Sequence, residues 1–204
     1  MTSSSLSSLR ELKLAGMASA YKAILATPMN KHPEAHELIV RLADAERQNR
    51  TQRRMELFLR LSKLRYAAIL QDVDCSAQRN FSKQQLAVLS DISWDSRGEN
   101  VLITGSTGFG KSYLACALRN HACTVGQRTL YFNTNRFYGQ IAVATAEGTV
   151  IKWLDRLKKA RLVILDDFGL QPITHPVKLL LLQVLKDRYE RATTIIVSQL
   201  PVGK

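Results

Sequence analysis

The sequence predicts an α/β fold of the P-loop NTPase type, a parallel sheet flanked by helices, preceded by a small all-helical domain. Three observations predict it. Residues 105–112 read GSTGFGKS, a glycine-rich loop closed by Lys111 and Ser112. It lies between the apolar run Val101-Leu102-Ile103-Thr104 and a helix-forming stretch from Tyr113, the strand–loop–helix setting that a P-loop requires. Second, Leu162-Val163-Ile164-Leu165 ends in Asp166-Asp167, as expected of a parallel strand covered on both faces that ends beside a cation. Third, residues 1–80 read as helix throughout.

Taken in order, Leu6 to Leu25 carries a helical apolar stripe, and Thr27-Pro28 and His32-Pro33 mark a turn. Pro33 suits a first helical position, with Glu34 and Glu37 near the positive helix end, and a long helix is expected from there to about Leu70. Residues 71–90 connect to the sheet, with a short helix starting near Ser82. The chain should then alternate: strand 101–104, loop and helix, strand 128–133, helices over 134–147 and 149–159, strand 161–167, helix 176–190, strand 193–199. Repeated strand–helix units imply parallel strands joined by right-handed crossovers. The expected domains are residues 1–75, helical and basic, and residues 76–204, the P-loop core.

The loop implies a nucleoside triphosphate. Its glycines let successive backbone N–H groups face inward as an anion nest, and the following helix aims its positive end at the same spot. Gly105, Ser106, Thr107, Gly108, Phe109, Gly110, Lys111, Ser112 and Tyr113 are the candidate nucleotide-binding residues. Lys111 is expected to reach the β- and γ-phosphates and the Ser112 hydroxyl to ligate Mg²⁺. Asp166 is the expected second magnesium partner, through water, and Asp167 is placed to orient or deprotonate the attacking water.

The chain has 204 residues, of which 46% are hydrophobic and 23% charged, and a formal net charge of +12. That excess suits a polyanionic partner better than a plain metabolic enzyme. Between Arg41 and Arg65, eight basic residues face three acidic ones, and Arg47, Arg50, Arg53 and Arg54 form the tightest cluster. Two readings stand for it, a solvated helix face or contact with the phosphates of double-stranded DNA. Cys75, Cys116 and Cys123 form no paired motif and are expected to be reduced packing residues of a cytoplasmic protein. No apolar run approaches membrane-span length, and the Ser-rich start lacks a signal peptide's apolar segment. His32 and His36 have ligand spacing but no third ligand, and are read as surface histidines.

The combination GSTGFGKS, LVILDDFG and TTIIVSQLP, with RGENVLITG leading into the loop, resembles the IstB-like transposition helper ATPases, AAA+ proteins related to bacterial helicase loaders. LRELKLAGMASAY and RMELFLRLSKLRYAAILQDVD resemble that family's helical DNA-contacting segment. The likeness covers about residues 6–203. It implies an ATPase that assembles as a homo-oligomer on DNA, deforms it, and stimulates a partner transposase. By position it makes Asp166 the Walker B carboxylate and Asp167, with Lys111, catalytic; Asp stands where many AAA+ proteins have Glu. Gln199, with Ser198 as the alternative, falls at the sensor position. Asn133 is a candidate to hold Asp167 until DNA binds, though an ordinary strand-end turn is the preferred reading.

The resemblance also implies a further helix, a fifth strand, a lid and an arginine completing a neighbour's site, all beyond Lys204. The expectation is therefore an incomplete core, with slow hydrolysis, poor assembly and an unpaired β edge at Val101–Thr104. Arg188 and Arg191 are left as the arginines available in trans. The competing functions are a helicase loader and a remnant that binds ATP and DNA without turnover.

Overall fold

The computed structural model describes residues 2–61 and 68–200. They fall into two compact units, divided between Leu57 and Phe58. The first unit is helical: α1 (Thr2–Glu11), α2 (Ala15–Leu25) and α3 (Ala35–Leu61) as far as Leu57, with a 3₁₀ turn at Met29–Lys31.

The continuous stripe expected over Leu6–Leu25 is broken after Glu11. Lys13 takes φ 59°, Lys13 N–H donates to the Arg10 carbonyl and Leu14 N–H to that of Leu9. This is a Schellman ending with lysine where glycine is usual. Helix α2 then begins against α3. A Cβ on Gly16 would sit 2.5 Å from the Ala45 carbonyl oxygen and 2.7 Å from Glu46 Cα. Only glycine permits that approach. The buried Glu46 carboxylate accepts from Gly16 N–H at 2.8 Å and Met17 N–H at 3.2 Å, capping α2 from another helix.

The second unit is a four-stranded, wholly parallel sheet between two helical layers. It begins with two 3₁₀ turns, Leu70–Asp72 and Ala77–Arg79, then α4 (Lys83–Ser90) and α5 (Ser93–Ser96). Ser82 and Gln85 form a capping box that starts α4. Then follow β1 (Val101–Thr104), α6 (Lys111–Thr124), β2 (Thr129–Asn133), α7 (Thr134–Ala146), α8 (Val150–Lys158), β3 (Leu162–Phe168), α9 (His175–Arg188) and β4 (Thr193–Ser198). The strand order is β1-β4-β3-β2.

Strand β3 alternates between the layers, as its apolar run requires. Leu162 and Ile164 pack with Leu114, Leu118, Ile195 and Val197 on the α6 side. Val163 and Leu165 pack with Phe137, Ile141, Leu157, Leu181 and Val184 under α7, α8 and α9. Each fully buried side chain of this kind stabilises the unit by about 1.5–3 kcal/mol. Among the described residues β1 pairs only with β4, and its Leu102 is 51% exposed.

Two expectations shift. The helix expected to reach Leu70 is α3, described over Ala35–Leu61; residues 62–67 lie outside the described residues, and Leu70 itself stands in a 3₁₀ turn. Ala68, Leu70 and Val73 pack against α6, so the segment assigned to the helical domain up to residue 75 contributes to the core of the second unit. Short apolar side chains on α6, Cys116 and Ala117, leave room for it.

Candidate nucleotide site

The β1–α6 loop, the end of β3 and the end of β4 converge on a cleft of about 490 Å³. Thr107, Gly108, Gly110, Lys111, Ser112 and Tyr113 line it from the loop, facing Asp167, Val197, Ser198 and Gln199. Gly110 is the N-cap of α6, at φ 77°, and no side chain caps that helix. A Cβ there would also lie 2.6 Å from Arg79 Nη1. The guanidinium can swing aside, so it is the left-handed backbone conformation that selects glycine. The Phe109 side chain is exposed and does not line the cleft, and neither do Gly105 and Ser106. Ser106 contributes its carbonyl, which accepts from Lys111 Nζ at 2.7 Å. The lysine folds back on its own loop.

Asp166 is fully buried at the floor of the site. Its Oδ1 accepts from Ser112 Oγ at 3.0 Å and from Asp167 N–H at 2.9 Å, and its Oδ2 accepts from the Tyr131 hydroxyl. Thr134 Oγ1 donates to its carbonyl at 2.6 Å. The two residues expected to share a divalent cation are therefore in contact, across 54 residues of sequence. Among the described residues no three His, Cys, Asp or Glu side chains gather as a closed metal site. A hydroxyl beside one carboxylate, facing a phosphate nest, fits a magnesium ion that takes its other ligands from phosphate and water.

Asp167 sits at φ 59°, where the β3–β4 register shifts between Leu165 and Phe168. A non-glycine residue in this region costs roughly 1–2 kcal/mol. The kink turns its carboxylate away from Asp166 and toward the cleft. Asn133 Nδ2 donates to Asp167 Oδ2 at 2.7 Å, while Asn133 Oδ1 accepts from Asn135 N–H and caps α7. The strand-end turn and the contact with Asp167 are both present, so the preference for a turn alone is corrected.

Gln199 Oε1 accepts from Thr107 Oγ1 at 2.7 Å, joining β4 to the loop. The Ser198 hydroxyl is engaged with backbone, donating to the Phe168 carbonyl and accepting from Leu200 N–H. Of the two sensor candidates, Gln199 has the side chain turned to the phosphate loop.

The arginine cluster lies on α3. Arg47 pairs with Asp44 at 2.9 Å and is 79% exposed; Arg50 pairs with Glu46 at 2.7 Å. Arg53 and Arg54 are exposed. Arg47, Arg50 and Arg54 share one helix face by spacing. Arg50 has a second duty, because its hydrogen bond lowers the Glu46 pKa against the pull of burial and ties the side chain that caps α2. Arg188 is buried, and donates to the carbonyls of Leu157, Ala160, Arg161 and Thr193 and to Thr194 Oγ1. Burial pulls its pKa down to about 10, with Asp95 opposing. That side chain is a staple within the fold and is not available to a neighbour's site; Arg191 is exposed.

Similarities to known proteins agree with this geometry. The family model for the IstB-like ATP binding protein matches residues 7–204. A protein of Pseudomonas fluorescens, named as an ATP-binding protein of insertion sequence IS1162, is 36% identical over 98% of this chain and 87% of its own length. An insertion sequence ATP-binding protein of Sinorhizobium fredii is 34% identical over 97% of this chain and 81% of its own. Among solved structures, the DnaC helicase loader aligns with a TM-score of 0.57 at 19% identity, covering 68% of this chain and 81% of that one. AMPPCP-bound DnaA from Aquifex aeolicus aligns at 0.60 and 21%, covering 69% of this chain and 44% of that one. These two likenesses show a shared fold. No helix among the described residues is long and apolar enough to cross a membrane. The chain belongs to the family of IstB-like ATP-binding proteins.

Proposed function

We propose that this chain is a magnesium-dependent ATPase that binds double-stranded DNA, assembles on it as a homo-oligomer, and stimulates the transposase of an insertion sequence. One observation carries the ATPase reading: Ser112, Asp166 and Asp167 meet beside Lys111 at the mouth of a phosphate nest. The insertion-sequence names of its relatives support the transposition role, and the basic α3 supports the DNA role.

In this reading ATP draws Lys111 Nζ off the Ser106 carbonyl and onto the β- and γ-phosphates. Ser112 and Asp166 would hold Mg²⁺, which supplies charge neutralisation at the phosphates. Asp167 takes the proton as water bonds to the γ-phosphorus and the bridging P–O bond to ADP breaks. It must first leave Asn133, so that amide restrains the base. Gln199, with Oε1 held by Thr107, has its Nε2 hydrogens left to donate to the γ-phosphate. The helical unit would grip the DNA on α3, through Arg47, Arg50, Arg53 and Arg54.

The test is phosphate release by the purified chain, with and without duplex DNA, alongside Lys111→Ala. Turnover that rises with DNA and vanishes in Lys111→Ala supports the reading. Turnover unaltered by the substitution places ATP chemistry elsewhere.

A further inference from the structure

We propose that Tyr131 is a positioning residue of this site: its hydroxyl holds Asp166 by Oδ2 and so keeps Oδ1 on Ser112, the pair that would hold a divalent cation. The inference rests on the ATPase reading above and deepens it, assigning a role to a residue with no motif of its own.

The placement follows from strand register. Tyr131 of β2 pairs with Ile164 of β3, and Asn133 pairs with Asp166. Residues 129, 131 and 133 therefore share a face with 162, 164 and 166, the face covered by α6. Tyr131 stands two residues short of Asp166, an offset of about 6.6 Å along the strand. A phenol spans that gap and places its oxygen at the carboxylate. Serine or threonine at 131 would fall short, and phenylalanine would fill the space without donating.

The carboxylate needs such a donor. Asp166 is 0% exposed, and its hydrogen-bond donors, the Ser112 hydroxyl, Asp167 N–H and the Tyr131 hydroxyl, are all neutral. Two of the three act on Oδ1, so Tyr131 is what holds Oδ2 among the described residues. Without it the carboxylate is free to rotate about χ2 and share its oxygens differently between Ser112 and the cation. Behind the ring, the Arg119 guanidinium carbon lies 5.6 Å from the centroid. Arg119 is 2% exposed and projects from α6, the helix that also carries Ser112. A cation over the ring face draws electron density from the phenol and makes its hydroxyl a stronger donor. The chain Arg119–Tyr131–Asp166–Ser112 thus closes a loop between α6, β2 and β3 directly under the phosphate nest.

The test uses the full chain and Tyr131→Phe, which deletes one oxygen and retains the ring over Arg119. Mn²⁺, visible by its paramagnetic resonance signal, is titrated against protein saturated with a non-hydrolysable ATP analogue, and analogue affinity is measured separately in EDTA. The expected result is a Mn²⁺ midpoint raised about tenfold, the lower end of what loss of a ligand-orienting partner does to metal affinity, with the EDTA affinity unchanged. An unchanged Mn²⁺ midpoint overturns the proposal. So does an equal loss of affinity with and without metal, which marks a packing residue. Failure of the unsubstituted chain to bind Mn²⁺ with the analogue sinks the ATPase reading itself, a result distinct from both.

Discussion

Asn133 does two jobs with one amide, and the two can be separated by substitution. Its Oδ1 caps α7 and its Nδ2 holds Asp167. Asn133→Ser keeps a cap acceptor on a shorter side chain and removes the donor to Asp167, while Asn133→Ala removes both. Both variants should release the base and raise phosphate release in the absence of DNA, narrowing the stimulation that DNA gives. Only the alanine variant should also lose the cap, a cost of about 1 kcal/mol in a denaturant melt. Basal turnover at or below that of the unsubstituted chain in both variants would show that Asn133 does not restrain Asp167. The P-loop and the Asp166-Asp167 pair were legible in the sequence because phosphate binding demands particular residues at fixed spacing. Tyr131 was not legible, since an isolated tyrosine in a strand carries no sign of which carboxylate it will meet across the sheet.

Among the secondary-structure elements, α2 and α3 are joined through the Glu46 carboxylate. Glu46 receives the first N–H groups of α2 and the Arg50 guanidinium together. The Arg50 hydrogen bond, aided by the Met17 and Gly16 N–H groups, lowers its pKa below the ordinary 4.5 against the pull of burial. A depressed folded-state value means that the stabilisation is present above about pH 4.5 and is lost as pH falls through the folded value. Glu46→Gln should therefore lower the melting temperature at pH 7, and the gap to the unsubstituted chain should close as pH falls below 4.5. A gap that persists undiminished in acid would contradict the charge-assisted cap. The same pairing refines the DNA test. Replacing Arg50 disturbs the fold, so Arg47, Arg53 and Arg54 are better changed to Gln with Arg50 kept. Duplex binding should weaken across all sequences, and the slope of log affinity against log salt should flatten by roughly 0.9 for each phosphate that is no longer neutralised. An unaltered slope would move the DNA surface to the second unit, where Lys152, Arg156 and Lys159 are exposed on or just after α8 and Lys158 is paired with Asp187. The break at Lys13 escaped the sequence reading for a physical reason: lysine gives no signal for a left-handed turn, and the apolar spacing runs through it unbroken.

For the molecule as a whole, the alternation of strand and helix predicted the parallel sheet and the burial of β3, and the expected edge at Val101–Thr104 is present among the described residues. The division into units was less legible, because the residues that tie 68–73 to α6 are small and apolar and read equally well as helix. An open edge carrying a half-exposed Leu102 is a pairing template. Leu102→Lys should lower concentration-dependent light scattering of this chain without altering ATP affinity; unchanged scattering would show that β1 is not the associating edge. The proposed chemistry turns on a division of labour in which Asp167 acts on water while Lys111 holds the nucleotide. The direct measurement is ATP affinity and DNA-stimulated phosphate release, side by side, for Lys111→Ala and Asp167→Asn. Lys111→Ala should lose both, whereas Asp167→Asn should bind ATP normally and turn over about 10²–10⁴-fold more slowly. Binding and turnover falling together in Asp167→Asn would contradict that division, and would make Asp167 a structural or metal-holding residue.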